Sequence, residues 1–158
     1  MTKEEKTKKS FDFLIQKTIQ EAGMKDSAFQ PSATEMDYDQ LTQIAPRLVK
    51  SYDKDKNQEF TKKAPRALAT NAPGRIISTA KDLILFDKAL YEKKIWGEAK
   101  KTLFTKSYTD FDHYRWGKMG YSYGTQISKN KPLEYSHSGM GRGGLFTLLY
   151  YPETKTHV

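Results

Sequence analysis

The sequence predicts an α+β fold, helices packed against an antiparallel sheet, on three observations. Apolar residues recur at helical spacing over residues 10–23 and 78–90, the chain closes on two strand-like runs around a glycine turn, and no internal repeat or linker divides its 158 residues. Helices come first and strands follow, the order of an α+β chain and not of an alternating one.

Ser10 is placed to cap a helix that puts Phe11, Leu14, Ile15, Thr18, Ile19 and Ala22 on one face, and Gly23 suits its C-terminal end. Residues 24–45 are polar, contain Pro31, and read as an irregular surface segment. Residues 47–52, 53–58 and 59–61 then read as strand, turn and strand. Asn71-Ala72-Pro73-Gly74 is a turn, and Ser78 is expected to cap a helix carrying Ala80, Leu83, Ile84, Phe86, Asp87 and Leu90 at helical spacing. Past the Ile95-Trp96-Gly97 break comes a second helical stretch, 98–107, then an irregular approach from Trp116 to one strand over 120–127. The final strands flank the glycines between Gly139 and Gly144, and the bare Gly139 after His137 and Ser138 is expected to let a ligand approach the backbone.

Composition narrows the functional classes. With 37% hydrophobic and 29% charged residues the chain can bury a core. No apolar run approaches a membrane span, and the first ten residues lack the apolar stretch of a secretory signal. The absence of cysteine excludes disulfides, thiolate metal sites and a cysteine nucleophile. A net charge of +8 suits an anionic partner, but the lysines are scattered and no Arg-rich stripe or nucleic-acid motif accompanies them, so nucleic acid is not expected. His113 and His157 have no evident ligand partners, so neither a metal nor a cofactor is expected, and Trp96 and Trp116 read as core or rim anchors.

Three short patterns match known sites by spelling alone. Asp53-x-Asp55-x-Asn57 begins like a calcium loop, yet Gln58 replaces the turn glycine and Ala64 the final glutamate, so a hairpin turn is the expectation. Gly139-x-Gly141-x-x-Gly144 spells a dinucleotide fingerprint, but a strand-like run follows where a helix is required. Ser78-Thr79-Ala80-Lys81 fits the nucleophile pattern S-x-x-K, whereas a capping serine turns its oxygen toward its own helix.

Taken in order, Ala22-Gly23-Met24-Lys25-Asp26-Ser27, the run from Pro73 to Leu83, and His137-Ser138-Gly139 resemble successive landmarks of the serine β-lactamase-like hydrolases. That family contains class C β-lactamases, penicillin-binding D-Ala-D-Ala peptidases and related esterases. The resemblance covers nearly the whole chain and implies a single partial domain over residues 1–158, truncated at both ends, with S-x-x-K and Y-x-N expected before the segment that begins at Ser10. It implies acyl-enzyme hydrolysis of amide, β-lactam or ester bonds by the whole protein, and little activity for this portion alone. His137 would stand at the family's Lys/His position, Ser138 would contact substrate beside Gly139, and the Met140 backbone N–H would be an oxyanion donor, a role worth about 3 kcal/mol at the transition state. By itself His137 reads as a surface or packed histidine. The implied partner is a small-molecule or peptidoglycan-type peptide substrate in an extracytoplasmic setting. A sheet without its N-terminal strands would also leave an edge open to self-association. The alternative from another class is a non-catalytic binding module for anionic cell-wall polymers.

Overall fold

The computed structural model describes residues 8–30, 36–63, 74–92, 97–113, 116–130, 132–141 and 144–158. Helices and antiparallel strands combine as the sequence predicts, an α+β architecture. The chain forms two compact units, Met1–Asp82 with Met140–Leu145 and Leu83–Gly139 with Phe146–Val158.

In the first unit, helix α1 (Phe11–Ala22) follows its local signals at both ends. The extended Ser10 accepts the Phe13 N–H, while Gly23 at φ 75° sends its N–H to Gln20 and lets Met24 reach the Ile19 carbonyl. That left-handed closure is open to glycine at no steric cost. Strand β1 (Ala28–Phe29) pairs antiparallel with β4 (Ile76–Ile77). Beside this ladder the buried Arg75 guanidinium donates to the Gln30 carbonyl from Nε at 3.0 Å and Nη2 at 2.6 Å, and to Asp12 at 3.1 Å. It also stacks on the Phe29 ring, so an arginine fork, not a lysine, fits this place.

The expected irregular stretch contains a helix. Asp37 and Gln40 form a capping box that starts α2 (Tyr38–Ile44), whose Leu41 is buried. Strands β2 (Ser51–Lys54) and β3 (Phe60–Lys63) form the anticipated hairpin. At its turn the Asp55 carboxylate accepts the N–H groups of Asn57 and Glu59, an inward use that leaves the calcium-loop spelling to turn chemistry. The Asn71–Pro73 part of the predicted turn lies outside the described residues; Gly74, at φ +77°, is its visible end.

Helix α3 (Ala80–Tyr91) begins in the first unit and continues into the second, followed by α4 (Gly97–Thr105). Six strands then run as an antiparallel meander: β5 (Thr109–His113), β6 (Gly117–Tyr121), β7 (Gln126–Ser128), β8 (Glu134–Gly141), β9 (Gly144–Tyr151) and β10 (Thr156–His157). The single strand expected over 120–127 is in fact two, β6 and β7, joined at Ser122–Thr125 with Gly124 at φ +85°. Helices therefore do not all precede strands, because β1 to β4 interleave with them.

The second unit's core is aromatic. Tyr91 stacks on Tyr150 at 4.6 Å and on Tyr135 at 5.4 Å, with Leu90, Phe86 and Phe104 around them. Such stacked pairs contribute about 1 kcal/mol each beyond their buried area. His157 closes the cluster, stacking on Tyr150 while its two ring nitrogens bond Asp87 at 2.7 Å and Glu92 at 2.6 Å.

Candidate functional site

The site residues anticipated from sequence lie on one strand. Along β8 alternate side chains point to opposite faces. Tyr135 packs on Tyr91 of α3, so His137 and Gly139 share the helix-covered face while Glu134, Ser136 and Ser138 point the other way. Register then shapes the edge. Strand β7 opposes β8 only at Gln126↔Ser136, Ile127↔Tyr135 and Ser128↔Glu134. From His137 onward β8 runs past the end of β7, and no strand among the described residues pairs with that edge.

His137 and Ser138 are exposed there, Gly139 is half-buried, and Met140 is the next residue of the strand. A Cβ at Gly139 would fall 2.3 Å from Cε1 of Phe146, so the bare glycine admits a side chain of β9 on this face. The same Phe146 ring stacks beside His137 at 6.4 Å.

On the opposite face lies an open depression of about 320 Å³, lined by Trp116, Gln126, Asn130, Glu134, Ser136 and Ser138, with Met119 and Leu149 at its apolar floor. Among the described residues that line it the ionisable ones are Glu134, whose side chain points to this face, and His137, which borders it from strand β8. The Tyr151 hydroxyl donates to Glu134 at 2.8 Å, and that bond to a carboxylate holds the phenol above its usual pKa. Burial likewise pushes the Tyr135 phenol up. Both phenols are therefore donors at neutral pH, unsuited to act as bases. No group of metal-ligating side chains occurs among the described residues.

Ser78 is not the helix cap that the sequence predicts. Thr79 caps α3, its hydroxyl accepting the Asp82 N–H at 3.2 Å, and Ser78 instead sits 2.7 Å from the Ser27 hydroxyl. It lies outside the helix, so the S-x-x-K spelling does not place Lys81 one helical turn away, and Lys81 is exposed. The same spelling falls again at Ser51 to Lys54, on strand β2, and at Ser128 to Lys131. What sequence reasoning missed is the Trp116 side of the depression, because Gln126 and Glu134 reach it only through strand register.

No family model and no curated protein matches the chain. Among solved structures it is similar to an octameric penicillin-binding protein homologue from Pyrococcus abyssi, with a TM-score of 0.77 and 23% identity over 98% of this chain and 34% of that one. It is also similar to a penicillin binding protein from Bacillus halodurans, with a TM-score of 0.68 and 18% identity over 98% of this chain and 45% of that one. The chain thus spans less than half the length of either, and it has a penicillin-binding-protein-like fold.

Proposed function

We propose that this chain supplies one wall of the substrate cleft of a serine acyl-transfer hydrolase of the penicillin-binding kind, acting on amide, β-lactam or ester bonds. The observation that carries this is the bare edge of β8, where His137, Ser138 and Gly139 run beyond β7 with nothing among the described residues paired to them. An extended peptide can add to such an edge through main-chain hydrogen bonds. In this reading His137 balances charge in the cleft, the Ser138 hydroxyl contacts substrate, and the Met140 N–H stabilises the developing oxyanion. The nucleophile belongs to a part of the protein outside this chain, and an extracytoplasmic setting and self-association through a sheet edge follow by the same resemblance.

Intact-mass measurement after exposure to a fluorophosphonate and to a penicillin tests the division of labour. The chain alone is expected to stay unmodified, and a stoichiometric adduct on Ser78 or Ser138 contradicts it. The anionic-polymer alternative draws no support from the described lining of the depression, which holds no Lys or Arg.

A further inference from the structure

We infer that the Trp116 end of the depression is a binding site for a neutral saccharide, a pyranose unit seated on the indole and held by the amides and hydroxyls of β7, β8 and Asn130. This goes beyond the acyl-transfer reading and does not depend on it.

The indole is half exposed at the mouth of the depression and is fixed in place. It stacks on His113 at 4.2 Å, its backbone N–H donates to His113 Nδ1 at 3.3 Å, and its carbonyl accepts from Asn130 Nδ2 at 2.9 Å. An aromatic surface held this way loses little freedom when a ligand arrives. Around it are groups that both donate and accept. Neither the Gln126 amide nor the hydroxyls of Ser136, Ser138 and Thr147 form a side-chain hydrogen bond among the described residues. Glu134, which lines the depression, accepts from Tyr151 with one of its two oxygens.

That inventory selects the ligand class. An anion would meet Glu134 and no Lys or Arg among the described lining residues. A purely apolar ligand would strand the amide and hydroxyls without partners, which disfavours it. A pyranose satisfies both halves: its polarised C–H face suits the negative face of an aromatic ring, and its ring hydroxyls donate and accept as these side chains do. The cavity, about 320 Å³, lies at the lower end of the range for small-molecule sites, roughly 300–1,000 Å³, and fits one or two sugar rings.

Calorimetric titration of the whole chain with tri-N-acetylchitotriose, cellotriose and maltotriose tests this. Saturable binding of at least one is expected, weakened about tenfold or more in Trp116→Ala, the factor a single good contact carries. Gln126→Ala, which removes no core contact, should weaken the same sugar severalfold and covers the case in which Trp116→Ala does not fold. Absence of saturable heat with all three up to about 10 mM overturns the inference. So does binding that neither substitution changes. An acyl-D-Ala-D-Ala peptide, titrated in parallel, reports on the β8 edge separately, so either site can fail without the other.

Discussion

The Ser27 hydroxyl donates to Asp82 Oδ2 at 2.7 Å, and the same oxygen takes the Asp26 backbone N–H at 2.7 Å. Asp82, at 1% exposure, is the most deeply buried large side chain described, and Ser78 joins the knot through Ser27. Two sequence landmarks separated by about 55 residues are thereby one structural feature, a carboxylate tying the turn after α1 to the start of α3. Asp82→Ala would strip the part-buried Asp26 N–H of its acceptor and leave the Ser27 hydroxyl with Ser78 alone, with a loss of about 2–3 kcal/mol in urea unfolding. Ser78→Ala, at the margin of the knot, should cost no more than about 1 kcal/mol. Equal losses for the two would show that Asp82 is not its centre.

Gly139 and Phe146 are coupled by space. Gly139→Ala must push the Phe146 ring aside and should cost about 1–3 kcal/mol, the usual range for overpacking. In Phe146→Leu the obstructing ring atoms are gone, so the double variant should lose less than the two single losses added together. Strict additivity in thermal unfolding would mean that the ring does not set the need for glycine.

Glu92 and Asp87 both bond His157 yet carry opposite pH signatures. The His157 hydrogen bond holds the Glu92 carboxyl below its usual range, so its contribution is present above the ordinary glutamate pKa of about 4.3 and is lost as pH falls through the folded-state value. Burial pushes the Asp87 carboxyl up despite the pull of His157, so its contribution is complete below the ordinary aspartate pKa of about 3.9 and declines as pH rises through the folded-state value. Glu92→Gln should therefore cost up to about 1 kcal/mol at neutral pH, discounted for its exposure, and almost nothing in acid. Asp87→Asn should cost more in acid than at neutral pH. Denaturation midpoints on the two sides of the carboxylate range check the signs, and parallel trends would contradict them.

Helix α1 was legible because both of its ends are local, a serine three residues from its partner N–H and a glycine free to turn left-handed. Helix α2 carried an equally local signal in Asp37 and Gln40, hidden by its polar surroundings. The cap of α3 was misplaced by one residue, since Ser78 and Thr79 both carry hydroxyls and the choice between them is made by Ser27, 51 residues away in sequence. Strands β6 and β7 lack clean alternation. Gly120 stands where a Cβ would lie 2.4 Å from the Ser107 hydroxyl, so close packing and not propensity sets that residue. His137 and Ser138 are singled out by motif, and the structure adds that they lie where β8 runs beyond β7. The depression beside Trp116, assembled from residues of four strands together with Trp116 and Asn130 outside them, has no contiguous sequence signature.

The most direct measurement follows the imidazole C–H signals of His113, His137 and His157 by NMR while an acyl-D-Ala-D-Ala peptide is titrated into the chain. If the bare edge of β8 is the substrate wall, the His137 signals move saturably, those of His157, buried between Asp87 and Glu92, stay in place, and Ser138→Ala weakens the response. A motionless His137 at saturating peptide, or shifts of all three histidines that Ser138→Ala leaves unchanged, would contradict the account.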